Sequence, residues 1–125
     1  MVKLTFCLRR LPHLSRAEFQ KYWLESHGPL VRERAAAIGM VRYVQLHTAH
    51  DEANRMLRAS RGGPEAFDGV AELWFESVEA MGAGMADETG RRAAAELLAD
   101  EKKFIDLERS PLWLADAHPI VPPPE

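Results

Sequence analysis

The residues with the clearest chemical potential lie in FQKYWLESHGPLV, positions 19–31. Phe19, Trp23 and Leu30 recur at helical spacing and mark one buried stripe; His27 follows Trp23 by one turn on the same side. Gly28 interrupts the predicted helix there, and Pro29 suits the first position of a new helical segment, where only an orphan N–H is lost. A histidine held at the end of an aromatic wall can exchange protons near neutral pH, because its unperturbed pKa is about 6.5. The same spacing also fits a packed, hydrogen-bonded core histidine.

A second set of polar residues is gathered by strand phase. Thr5, Arg9, Gln45, His47, Glu72 and Asp106 are expected to share a sheet face with Tyr43 and Trp74. Aromatic walls with few polar groups are the usual make-up of a small-molecule pocket. A carboxylate such as Glu72 would have its charged form disfavoured there, which is how proton-transfer groups are tuned. Glu72 could equally pair with Arg9 or Arg42. Other chemistries find little footing. The five histidines show no HExxH, HxH or Cys/His spacing, so no metal site is expected. No glycine-rich loop leads from a strand into a helix to cradle a phosphate, and no serine sits in a nucleophile elbow. Cys7, in mid-strand, reads as an inert wall thiol.

These residues need elements to position them. Val2, Leu4, Phe6 and Leu8 alternate with polar neighbours as a strand. Ser15 and Glu18 form a capping box for a helix that runs to about Ser26, breaks at His27-Gly28-Pro29 and resumes to Ile38. Gly39 terminates it. Strands follow over 40–49 and 69–75, with a short helix over 51–60 and a loop over 60–67 between them. Helices over 77–85 and 89–103 lead to a fourth short strand, Phe104–Glu108. An extended stretch, Ser110–Val121, and a Pro-rich tail, 122–125, complete the chain, so residues 1–121 are read as one domain. The order strand, helix, strand, strand, helix, strand predicts an α+β, ferredoxin-like split βαβ fold with an antiparallel four-stranded sheet. Helices cover one face of such a sheet. The other is expected to carry Cys7, Val41, Tyr43, Val70 and Trp74, more apolar surface than a soluble monomer ordinarily exposes. Two copies packed sheet to sheet would cover it as a homodimer.

Composition narrows the partners. A net charge of −3 argues against nucleic acid and against a membrane surface, both of which reward a basic face. A single cysteine excludes an internal disulfide and fits a reducing compartment. No apolar run approaches the roughly 20 residues that span a bilayer. MVKLTFCLRR does not read as a signal peptide, so a cytoplasmic location is expected.

The combination of RRLPHLSRAEFQKYW, the break HGPLV, the strand MVRYVQLH, the segment FDGVAELWFES and DEKKFID resembles the EthD family of the dimeric α+β barrel superfamily. The resemblance covers most of the chain, leaving out residues 51–66 and those after Trp113. It implies a homodimer whose sheets close a barrel, with a pocket between helix and sheet in each subunit. The naming member is associated with bacterial degradation of a fuel ether. Fungal relatives resemble cofactor-free enzymes that dehydrate or decarboxylate aromatic polyketide intermediates. By that resemblance His27 is the leading acid/base residue. Tyr22, Trp23, Tyr43, His47, Glu72, Trp74 and Asp106 are pocket-lining candidates from strand and helix phase. The implied function is a lyase or cyclase needing no cofactor, acting on a small apolar or aromatic ligand. The alternative is an accessory protein that binds such a ligand for a separate oxygenase.

Overall fold

Ser15 starts the first helix as its sequence requires. Its hydroxyl accepts from the Glu18 N–H at 3.0 Å, and the Glu18 carboxylate accepts from the Ser15 N–H at 2.9 Å. In the computed structural model, which describes residues 1–124, this helix α1 (Arg16–Tyr22) does not break at His27-Gly28-Pro29. It passes through a π-helical turn, Trp23–His27, directly into α2 (Gly28–Arg34). Gly28 stays helical at φ −53° and ψ −51°, and its N–H reaches back to the Trp23 carbonyl. The expected break is therefore a widened turn. Pro29 is tolerated because the π turn has already displaced the regular hydrogen-bond ladder. The helical path ends at Gly39, whose φ of 75° is the left-handed conformation glycine adopts without a Cβ clash.

The strands β1 (Val2–Leu8), β2 (Met40–His47), β3 (Gly69–Phe75) and β4 (Leu112–Asp116) form one antiparallel sheet in the order β2-β3-β1-β4. With helices on one face, this is the α+β, ferredoxin-like arrangement. The fourth strand lies at 112–116, not at 104–108. Phe104 and Ile105 are fully enclosed and join the core under α1, whereas all five β4 residues are exposed, so apolarity marked the wrong segment. Between β2 and β3, α3 (Asp51–Arg61) buries no residue. Beyond β3 come α4 (Val78–Ala86) and α5 (Glu88–Glu101), capped by Ser77 and Asp87.

Two clusters fill the space between helices and sheet. Phe19, Trp23 and Phe104 pack on Phe6, Leu8 and Ala71, while Val31, Ile38 and Leu97 pack on Val2, Met40 and Phe75. On α2, Val31 is buried and Leu30 only partly so, one position from the expected stripe. The β2 ladder shifts register between Met40 and Arg42, which turns every later β2 side chain over. Tyr43 consequently faces the helices opposite Leu73, and Arg42 faces away opposite Trp74. No helix among the described residues is long and apolar enough to cross a membrane.

Candidate active site

The π turn brings His27 over the sheet and against α5. Its ring is 5% exposed, and Nδ1 lies 2.7 Å from Asp100 Oδ2. The other Asp100 oxygen accepts the Tyr22 hydroxyl at 2.6 Å. Burial alone would raise the Asp100 pKa, but the Tyr22 and His27 hydrogen bonds outweigh it and hold the carboxylate below its ordinary range. Burial pushes His27 the other way, below its ordinary value, and overrides the attraction of Asp100. At neutral pH the pair is thus a carboxylate facing a neutral imidazole. Nδ1–H donates to Asp100, and the lone pair resides on Nε2. Among the described residues Nε2 has no protein partner, yet no buried side-chain nitrogen or oxygen is left unpartnered. Nε2 therefore opens on free space.

That space is a cavity of about 160 Å³ between sheet and helices. Phe6, Leu8, Val31, Met40, Leu73 and Leu97 supply apolar walls, and Trp23, His27, Tyr43 and Glu101 supply the groups able to make hydrogen bonds. The Tyr43 hydroxyl oxygen accepts from Trp23 Nε1 and from Gln45 Nε2, both at 3.1 Å, which leaves its proton to donate. Burial raises its pKa to about 12, so it remains a neutral donor. Gln45 is fixed in turn. Its amide nitrogen also donates to the Trp23 carbonyl at 2.9 Å, and its oxygen faces His47 Nε2 at 2.8 Å. The π turn's displaced carbonyl thus locks the Tyr43 network. Glu101 follows Asp100 on α5, and burial together with the Asp100 charge raises its carboxyl to about 7.

Trp23 itself depends on Gly69. A Cβ there would overlap the indole, meeting Cη2 at 2.8 Å and the Leu46 carbonyl at 2.9 Å. His47 stacks on the indole with centroids 4.4 Å apart, and burial lowers its pKa.

The structure therefore divides the residues expected from sequence. His27, Trp23 and Tyr43 meet in the cavity. Tyr22 and His47 stand behind it, Tyr22 against Asp100 and His47 against Trp23. Glu72, Trp74 and Asp106 are not part of it. Glu72 pairs with Lys3 on the opposite sheet face, not with Arg9 or Arg42. Trp74 lies there between Lys3 and Arg42, with the Arg42 guanidinium 4.6 Å from its ring centre. Asp106 sits beyond α5, 3.9 Å from Arg109. Sequence phase missed Asp100 and Glu101 because a charged helix end ordinarily marks a solvated face. The signal available was their spacing from Leu97, which places both beside a buried stripe. Among the described residues, no group of three His, Cys, Asp or Glu side chains is placed to hold a metal ion.

Comparison with known proteins adds three findings. Residues 11–108 match the family model of the EthD domain. No curated protein matches the chain. Several solved structures share its fold. An EthD family protein from Bacillus halodurans is 17% identical over 94% of this chain and 100% of its own, with a TM-score of 0.61. A dimeric protein of unknown function and ferredoxin-like fold from Bacteroides fragilis is 9% identical over 93% and 95%, with a TM-score of 0.56. SnoaB, a cofactor-independent oxygenase from Streptomyces nogalater, is 17% identical over 98% and 97%, with a TM-score of 0.51.

Proposed function

Because this chain belongs to the EthD domain family, we propose that it is a homodimeric acid/base enzyme acting on a small, mostly apolar substrate that bears an oxygen function. The observation that carries this is the Asp100-bonded His27, whose Nε2 opens on a cavity shared with Tyr43 and Glu101. Asp100 fixes the tautomer and orientation of the imidazole and stabilises the imidazolium that forms on protonation. Nε2 takes a proton from a C–H beside the substrate carbonyl, or from a hydroxyl. Tyr43 donates to the substrate oxygen as negative charge gathers there. Glu101, still substantially protonated near neutrality, returns a proton to the departing oxygen or to carbon. Elimination and cyclisation begin from the resulting stabilised anion, and decarboxylation generates the same kind of anion as CO2 leaves, with Tyr43 bonding its oxygen and Glu101 protonating its carbon, which supports the lyase or cyclase class. An accessory binding role would call for a histidine bonded only to backbone, whereas His27 bonds a carboxylate.

The sheet face turned away from the helices supports the dimer. Cys7, Val70 and Leu46 are aligned across β1, β3 and β2, with Trp74 four residues further along β3 on the same face. Leu46 is 47% exposed and Trp113 49% exposed in the isolated chain. A second copy packed on this face would close a barrel across the pair, and the similar Bacteroides fragilis protein is itself described as dimeric.

The test uses 5-nitrobenzisoxazole, whose ring opens to a coloured phenolate when a base removes its C–H proton. The protein is expected to accelerate the opening, and His27→Asn should reduce the rate on the order of a hundredfold while the fold is kept. The wild-type rate should rise with pH through a value below the ordinary histidine range. A rate unaffected by His27→Asn refutes the assignment.

A further inference from the structure

Six arginines line one cleft of about 740 Å³ that shares no residue with the His27 cavity. It lies between α3, the loop before β3 and the end of β1. The acidic residues of its lining are Asp51, Glu65 and Asp68, against Arg9, Arg10, Arg16, Arg55, Arg58 and Arg109. Arg16 is neutralised by a two-point pairing with Asp51, at 2.7 and 2.9 Å, and Arg10 by Asp68. The other four have a carboxylate no nearer than 3.9 Å or no ion-pair partner among the described residues. Arg9 is held by the Ala66 carbonyl at 2.7 Å and by the Phe67 ring at 4.1 Å, partners that orient a guanidinium without cancelling it. Arg58 is fixed by the Gly63 carbonyl at 3.0 Å, with Glu65 no nearer than 3.9 Å. Arg109 has Asp106 at 3.9 Å, and Arg55 has no hydrogen-bond or ion-pair partner among the described residues.

Gathering four under-neutralised cations in one recess opposes folding, and this occurs in a chain whose net charge is −3. The guanidiniums come from three places, the end of β1 (Arg9), α3 (Arg55 and Arg58) and the turn at 107–109 (Arg109), around a cleft of about 740 Å³ that is far larger than one small anion fills. We propose that this cleft binds a small polyanion carrying two or more phosphate or carboxylate groups, with Arg9 and Arg55 among its direct contacts. Planar guanidinium forks, two of them anchored at Arg9 and Arg58, favour bidentate recognition of such groups.

Calorimetric titration of the full chain at about 0.15 M ionic strength tests this, since loose surface attraction is largely screened there. Tripolyphosphate, citrate and inorganic phosphate are the probes; the first two separate phosphate from carboxylate recognition. The expected result is one site per chain for tripolyphosphate or citrate, at least about tenfold tighter than for inorganic phosphate. Arg55→Gln is the decisive variant, because an exposed arginine without partners can be replaced without disturbing the fold. It should weaken binding several-fold, as should Arg9→Gln, while Arg92→Gln on α5, paired there with Glu88, should leave it unchanged. Binding of neither polyanion overturns the proposal. So does an Arg55→Gln effect no larger than that of Arg92→Gln.

Discussion

Replacing Glu101 by glutamine keeps the shape of the side chain and removes its charge, which isolates what the cavity does to a carboxylate. In the folded protein this carboxyl is raised from 4.5 to about 7, first by burial and then by Asp100. Below about pH 4.5 the group is neutral in both folded and unfolded chains and contributes no pH dependence. Between there and about pH 7 the unfolded chain ionises first, so the wild type loses stability as the pH rises; above about 7 the loss is complete. The gap corresponds to about 3 kcal/mol. His27 runs in the opposite sense. Its folded pKa is lowered by burial, so its contribution is full above the ordinary histidine value and erodes as pH falls below it. Both proteins carry that contribution, and it cancels in their difference. Urea unfolding followed by tryptophan fluorescence at about pH 4.5 and about pH 8 reads the result directly. Relative to wild type, Glu101→Gln should gain about 3 kcal/mol between the two conditions. A constant difference across that range would refute the burial of Glu101 beside Asp100 and the role of a protonated carboxyl in the cavity.

Two further outcomes are expected. Val70→Glu places a carboxylate on the apolar face beside Cys7 and Leu46; sedimentation should show the dimer dissociated or the chain unfolded, and an unchanged dimer would locate the interface elsewhere. Gly69→Ala forces the Trp23 indole aside and should destabilise by about 1–3 kcal/mol, with a changed near-ultraviolet tryptophan signal and a slower benzisoxazole reaction; an unaltered signal would contradict the contact between Gly69 and the indole.

Local signals carried well where they were local. The Ser15–Glu18 box, the glycine stop at Gly39 and the alternation of β1 each depend on neighbours in sequence, and each is realised in the structure. The phase of β2 was lost because the irregularity between Met40 and Arg42 has no sequence mark, and one slipped residue exchanges the faces of Tyr43, Gln45 and His47. Trp74 and Glu72 kept their phase, so sequence reasoning grouped residues that the sheet in fact separates. Asp100 stayed hidden for a different reason. Its partners, Tyr22 and His27, are more than 70 positions away, and such a pairing exists only after the helices dock.

The widened turn at Trp23–His27 also solves a problem of angular bookkeeping. Phe19, Trp23, His27 and Val31 follow one another at intervals of four, and all are buried. On a regular helix of 3.6 residues per turn, each such interval advances the side chain by about 40°, so the fourth would point about 120° away from the first. A turn that takes more residues to close holds back this drift midway. It allows a strict four-residue spacing to keep one direction over a helical path of nineteen residues, Arg16–Arg34. The bulge is thus a phase corrector, and the residue at which the correction acts is the one that carries the imidazole.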